Sequence, residues 1–305
     1  MAPANGVDPD ELLKSADLAM YQAKADGRGT YRFFEPDMDA RVKARRTLEY
    51  DLRQAFKDDE FELYYQPVVN LRDNRITGCE ALLRWHHPKR GLVSPTEFIP
   101  VAEETGLITQ IGEWVLRTAC AEAANWPDDI KIAVNVSPVQ FTARNLVQTV
   151  VNALATSGLS PHRLELEITE AVLIRDDEAA LAVLSQLRQL GVRIAMDDFG
   201  TGYSSLSYLQ RFPFDKIKID RSFIKDIAEG GGSPTIVQAV VTIARSRNIT
   251  TVAEGVETKE QLAVLCSLGC TEMQGYLFSR PVPVQDLLKL LPPTAQRTLA
   301  AVSAA

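Results

Sequence analysis

Eight short apolar segments of the chain look like strands, near residues 61–69, 76–84, 131–136, 163–169, 192–197, 215–219, 250–254 and 272–277. Helical patterns lie between most of them, near 107–125, 139–157, 177–190, 234–247 and 258–268, with one more near 284–291. The clearest is 177–190, where Leu181, Leu184, Leu187 and Leu190 form a stripe and Gly191 supplies the stop. Strand–helix alternation sustained over about 240 residues predicts an α/β chain closed into a TIM-like (β/α)8 barrel. One join departs from the rule. Only the turn-length stretch Asn70 to Arg75 separates the first two strands, so a hairpin is expected there, with the first strand antiparallel.

Polar residues recur where these strands end. They are Glu80, then Asn135, then Glu167 and Glu170, then Asp197 and Asp198, then Lys218 and Asp220, then Glu254 and Glu257, and finally Gln274. The carboxyl ends of barrel strands carry the chemistry of such folds, whereas the interior is normally filled by branched apolar side chains. A single acid at a strand end is as readily a helix cap or an arginine partner. Five or more converging at one mouth repel one another unless cations sit among them. Oxygen ligands without Cys or His select hard ions such as Mg²⁺ or Mn²⁺, and there are enough carboxylates for two ions, a recurrent device in phosphodiester hydrolysis. Lys218 fits as a cation placed to orient a water or stabilise developing charge. The small-residue stretch after Asp198, Gly200-Thr201-Gly202, lacks the lysine and helix of a phosphate loop.

Composition narrows the partners. A net charge of −7 argues against a broad phosphate-binding surface, so no nucleic-acid polymer is expected; an anionic substrate needs metal ions to supply positive charge locally. No apolar run reaches the ~18 residues of a membrane span, and the start of the chain is no signal peptide. The expectation is a cytoplasmic fragment without membrane contact of its own, from a longer protein that can be anchored elsewhere. Cys79, Cys120, Cys266 and Cys270 form no CxxC pair and read as reduced structural residues. His86 and His87, before Pro88, read as solvated, and Trp85, Phe199 and Tyr203 as packing.

Residues 8–39 look detached: a helix over Asp10–Ala25, a stop at Gly27 and Gly29, and a strand-like Thr30–Phe34 cannot bury a core alone. A charged helix near Asp39–Lys57 joins them to the barrel, and the tail after Pro293 is expected to fray.

Eight motifs in order carry a resemblance. Tyr65-Gln66-Pro67-Val68, Glu80-Ala81-Leu82, Asn135-Val136-Ser137, Glu167-Ile168-Thr169-Glu170, Asp197-Asp198-Phe199-Gly200-Thr201-Gly202, Lys218-Ile219-Asp220 and Ala253-Glu254-Gly255-Val256-Glu257, followed by Gln274-Gly275-Tyr276, resemble those of the EAL domain over about residues 45–290. The resemblance implies a phosphodiesterase that hydrolyses cyclic di-GMP to linear pGpG. It implies Glu80, Asn135, Glu167 and Asp197 as metal ligands, with Asp197 bridging two ions, Asp198 serving the second, and Glu254 completing a shell. Glu80, Lys218 and Glu254 are then the catalytic set, Lys218 beside the attacking water. Gln66, Arg84 and Gln274 resemble substrate contacts, Glu170 the residue that fixes the loop after Asp198, and Asp220 and Glu257 supporting residues. A homodimer through the EAL domain is implied too, with loop 199–207 and the helix after Lys218 as its contact.

The stretch Ala16-Asp17-Leu18-Ala19-Met20-Tyr21-Gln22-Ala23-Lys24 with Gly27-Arg28-Gly29 resembles the end of a GGDEF domain without its signature loop, which implies no cyclase activity. The domain layout that follows is 1–39 remnant, 40–57 linker helix, 58–292 barrel and 293–305 tail. Two alternatives stand beside hydrolysis. One is a receptor that binds cyclic di-GMP without turnover, although no ligand position departs from the pattern. The other is a metal-assisted barrel enzyme acting on carbonyl substrates, which the acidic ring alone would permit.

Overall fold

The computed structural model describes residues 8–25, 29–35, 37–143, 145–175, 177–200, 209, 211–229 and 234–292. Gly27 and Arg28, most of loop 199–207 with Tyr203, and the tail after Pro293 lie outside the described residues.

Two helices, α1 (Pro9–Ala25) and α2 (Met38–Ala55), precede the barrel. Helix α2 is charged on most of its surface but buries Leu48, Leu52 and Ala55 in the same core as the barrel's outer layer. The strands are β1 (Phe61–Asn70), β2 (Ile76–His87), β3 (Gly91–Val93), β4 (Lys131–Asn135), β5 (Leu164–Thr169), β6 (Arg193–Phe199), β7 (Lys216–Ile219), β8 (Thr250–Ala253), β9 (Glu272–Met273) and β10 (Val282–Pro283). Eight of them close a ring in the order β1-β2-β4-β5-β6-β7-β8-β9 and back to β1, while β3 and β10 extend β2 and β1. Strand β1 runs antiparallel to both β2 and β9, and from β2 through β4 to β9 every pairing is parallel. The expected hairpin is therefore present, and the barrel closes around it.

Outside the ring lie α3 (Pro95–Thr105), α4 (Leu107–Ala123), α5 (Pro138–Thr142), α6 (Leu146–Ser157), α7 (Ala171–Arg175), α8 (Asp177–Gln189), α9 (Arg221–Ile224), α10 (Pro234–Ser246), α11 (Lys259–Leu268) and α12 (Val284–Leu290). Outward-facing strand residues such as Ile132, Val134, Leu166, Ile168, Ile194, Ile217 and Ile219 are sealed against them. No described helix is long and apolar enough to cross a membrane.

Four local expectations need correction. The single helix expected over 139–157 is two, because Ala143 turns to extended backbone (ψ 127°) after Thr142. Residues 30–35 carry no strand, since among the described residues they have no neighbour to pair with. The last strand stops at Met273 instead of reaching 277. His87 is buried, not solvated: its Nδ1 accepts the backbone N–H of Lys89 and Arg90, and Nε2 lies 3.1 Å from Asp51 of α2. Trp85 and Phe199 are buried packing residues, and all four cysteines are free.

Candidate active site

Strand alternation brings the chemistry inside. The Lys218 ammonium on β7 is the hub, 3.3 Å from Glu80 Oε2, 2.8 Å from Glu167 Oε2, 3.1 Å from Asp197 Oδ1 and 2.8 Å from Glu254 Oε1. Strands β2, β5 and β6 and the residue that follows β8 therefore each deliver one carboxylate to one cation. Glu80, Glu167 and Lys218 are buried, while Asp197 and Glu254 open toward the mouth. Asn135 Nδ2 donates to Glu80 Oε1 at 2.6 Å, and Gln274 Nε2 donates to Glu80 Oε2 at 2.7 Å and to Gln66 Oε1 at 3.0 Å. Gln66 is anchored in turn by donating to the Ser279 carbonyl at 3.1 Å.

Two adjacent residues on a strand ordinarily face opposite sides, so Asp197 and Asp198 should not both reach the site. A bulge solves this. The β6–β7 register runs Met196↔Ile217 and then Phe199↔Ile219, leaving Asp197 and Asp198 together opposite Lys218. Asp198 adopts φ +53°, a left-handed conformation that an aspartate tolerates better than most side chains, and its N–H donates to Asp197 Oδ1 at 3.0 Å. The result is a group of oxygens from Asp197, Asp198 and Glu254 within 4.8 Å of one another. Such a set could hold a metal ion, and its all-oxygen chemistry suits a hard divalent cation.

Electrostatics follow from burial and crowding. Burial pushes Glu167 well above the ordinary carboxylate range, the charges of Glu80 and Asp197 add to the effect, and Lys218 opposes it. Burial likewise lifts Glu254 to about 8 against the pull of Lys218. Burial acts upward on Glu80 too, but Lys218 and the hydrogen bonds from Gln274 and Asn135 outweigh it and hold that carboxyl below its usual value. Asp198 is raised by burial and by its acidic neighbours. Lys218 stays firmly charged, because its carboxylates outweigh the cost of burying it.

The remaining predicted residues fall around this centre. Glu170 Oε1 accepts the Gly200 N–H at 3.3 Å, tying the segment after Asp198 to the end of β5. Gly200 has φ +99°, and a Cβ there would meet the Phe223 ring at 2.8 Å. Asp220 caps α9 through Ser222 N at 2.9 Å, and both Asp220 and Glu257 line the mouth. Arg84 stands at the rim with its guanidinium 5.3 Å from the Tyr64 ring, hydrogen-bonded to the Leu83 carbonyl instead of to the acidic centre. A cleft of ≈ 860 Å³ opens over the centre, lined by Gln66, Glu80, Asp198, Glu254, Gln274 and Tyr276 among others. Arg221 and Lys225 also line it; sequence reasoning missed both, although Arg221 follows the Lys218-Ile219-Asp220 motif directly and Lys225 comes one helical turn later.

The EAL domain family model matches residues 49–281. The chain belongs to the EAL domain family. Over 290 residues, 94% of this chain and 42% of the other, it is 48% identical to the bifunctional diguanylate cyclase/cyclic di-GMP phosphodiesterase MucR of Pseudomonas aeruginosa. It is 53% identical over 285 residues to a signaling protein of Caulobacter vibrioides, covering 93% of this chain and 35% of that one. The chain thus spans well under half the length of these curated relatives. Among solved structures it is similar to the PaMucR phosphodiesterase in its c-di-GMP complex, with a TM-score of 0.76 at 48% identity, covering 79% of this chain and 99% of that one. The EAL barrel places Glu80, which opens the signature tripeptide Glu80-Ala81-Leu82, at the side of Lys218.

Proposed function

We propose that this chain hydrolyses cyclic di-GMP to linear pGpG with the help of two divalent ions, Mg²⁺ or Mn²⁺. The observation that carries the proposal is the Lys218 ammonium ringed by four carboxylates at the mouth of an EAL barrel, beside the oxygens of Asp198. Similarity to the PaMucR phosphodiesterase, whose structure holds c-di-GMP, supports the choice of substrate.

Glu80, Asn135, Glu167, Asp197, Asp198 and Glu254 are the residues that would hold the ions. Bound there, divalent ions supply Lewis acidity to the phosphodiester and to the attacking water. Lys218 orients that water and offers positive charge to the phosphoryl oxygens as negative charge grows on them. Glu254, at the open edge of the cluster, is the carboxylate placed to accept a proton. Gln274 Oε1 is buried without a hydrogen-bond partner among the described residues, so an N–H of the substrate would satisfy it. Gln66 fixes Gln274, and Arg84 at the rim suits a phosphate oxygen by its fork geometry. Asp220 and Glu257 support the mouth, and Glu170 holds the segment that follows Asp198.

The proposal extends to a cytoplasmic homodimer through the EAL domain and to the layout of GGDEF remnant (1–39), linker helix (40–57), barrel (58–292) and tail (293–305). Light scattering tests the dimer. For the activity, purified protein is incubated with cyclic di-GMP and Mn²⁺ and the nucleotides are separated by chromatography. The wild type yields pGpG and Glu80→Ala yields none. Equal product from both proteins would remove Glu80, and with it the proposed site, from the chemistry.

A further inference from the structure

A second charged layer lies directly beneath the first. Glu165 precedes Glu167 by two residues on β5, Lys216 precedes Lys218 by two on β7, and Glu272 precedes Gln274 by two at β9. Residues two apart on a strand share a face, about 6.6 Å apart along it. Glu165, Lys216 and Glu272 are 1%, 6% and 7% exposed, and none of them lines the cleft. The Lys216 ammonium is 2.7 Å from Glu165 Oε1 and 3.3 Å from Glu272 Oε2. Thr77 donates to Glu272 Oε1 at 2.7 Å, and Arg193 Nε approaches Glu165 Oε2 at 3.5 Å. A barrel core is ordinarily apolar at this depth, and a buried ion pair is at best a modest source of stability, so the layer calls for another reason.

Lys216 and Lys218 hang from one four-residue strand, and each has a flexible four-carbon stem that spans the step between layers. The β6 bulge leaves Lys218 without a partner on that side, but Lys218↔Val252 and Ile219↔Ala253 stay paired with β8, so the backbone of β7 is fixed and only the two side-chain stems can choose between layers. Which carboxylates each ammonium takes is therefore a matter of charge. The lower acids hold Lys216, and the upper four hold Lys218.

We propose that Lys216 is a positioning residue for the active site: by pairing with Glu165 and Glu272 it keeps the Lys218 ammonium in the upper layer, among Glu80, Glu167, Asp197 and Glu254. Without Lys216, the two buried carboxylates one pleat below Lys218 keep only Arg193 beside Glu165, the Thr77 hydroxyl on Glu272 and the more distant charge of Lys131. The ammonium is drawn down to them and leaves the reacting groups. The inference rests on the hydrolytic reading of the cleft.

The test is Lys216→Met in the full chain, compared with Glu165→Gln/Lys216→Met/Glu272→Gln, which removes the lower acids as well. Displacing a catalytic group by an ångström or more costs roughly a hundredfold, so kcat of Lys216→Met falls by about that factor. Mn²⁺ affinity, measured by titration calorimetry, is not weakened, because a competing cation has left the upper carboxylates. The triple variant recovers to within about threefold of wild-type kcat, since Lys218 has nothing below to pull it. A Lys216→Met enzyme with unchanged kcat, or a triple variant as slow as the single, overturns the proposal. If Lys216→Met does not fold, Glu165→Gln/Glu272→Gln serves instead: the stranded Lys216 turns up toward Glu167 and competes with Lys218, so kcat falls again, and unchanged kcat overturns the proposal. If the wild type hydrolyses nothing, the proposed function has failed. Crystals of Lys216→Met, or of the pair of Gln substitutions, then decide this inference by where the Lys218 ammonium lies, and an ammonium still among the upper four carboxylates refutes it.

Discussion

Replacing Lys218 by methionine keeps the length of the side chain and removes the cation that four carboxylates surround. Breaking a buried ion pair by deleting one partner costs about 3–5 kcal/mol. At roughly 2–4 °C per kcal/mol for a chain of this size, the metal-free variant melts about 6–20 °C below the wild type. The deficit depends on pH, and burial fixes its direction. Burial holds the Glu254 carboxyl at about 8 in the folded protein against 4.5 for the free group. Between those values the unfolded chain releases a proton that the folded chain keeps, so the metal-free fold loses stability as pH rises through the window. At 1.36 kcal/mol per pH unit the loss reaches about 4–5 kcal/mol for this one group. Removing Lys218 takes away the charge that holds Glu80 below its usual value, so burial then raises that carboxyl and the deficit of the variant grows as pH climbs above the ordinary carboxylate range, while Glu254, raised in both proteins, adds to it only above about 8. Divalent ions supply replacement charge and shrink it. Thermal melts of both proteins at about pH 5 and about pH 8, each with chelator and with Mn²⁺, read all of this at once. Turnover of the variant falls by about 10²–10³-fold. A melting deficit that is the same at both pH values and indifferent to Mn²⁺ would refute the electrostatic argument.

Three further substitutions separate site from scaffold. Gly275→Ala puts a Cβ 2.1 Å from the Val256 carbonyl and 2.3 Å from its nitrogen, so backbone must move; stability falls by at least about 1–3 kcal/mol in a denaturant melt, and KM rises as Gln274 shifts. Glu170→Ala releases the Gly200 N–H, and both Mn²⁺ affinity and kcat drop by roughly tenfold; unchanged values would show that the tether does not shape the Asp198 end of the site. His87→Ala breaks the link from Asp51 to the β2–β3 turn and costs about 1–3 kcal/mol of stability, yet leaves kcat within about twofold because the link lies away from the cleft.

The barrel and the acidic centre were legible because both follow from local periodicity. Apolar residues alternating with helical stripes specify strands and covers, and the turn-length gap at 70–75 specifies the antiparallel start. Asp197 and Asp198 stood out as a pair, but nothing local said that both could face the site; that depends on a bulge set by the register against β7. The burial of His87 depends on Asp51 of a separate helix, a contact no sequence window contains. The split near Ala143 follows from a backbone turn inside a continuous apolar pattern. The lower charged layer went unread although its signal is plain in hindsight: Glu165 and Glu167, Lys216 and Lys218, and Glu272 and Gln274 repeat polar residues at the strand period of two, on faces where a barrel keeps branched apolar side chains. Arg84 was named as a substrate contact through the resemblance alone, and its place over Tyr64 arises from cross-strand pairing of β1 with β2.

The central claim, that four carboxylates, Asp198 and Lys218 make a metal-assisted hydrolytic centre for cyclic di-GMP, is tested most directly by following the nucleotide itself. Chromatography of cyclic di-GMP incubated with the wild-type chain should show linear pGpG when Mg²⁺ or Mn²⁺ is present and none after thorough chelation. Intact cyclic di-GMP recovered bound to metal-loaded protein, or pGpG formed at the same rate in the chelated sample, would contradict it.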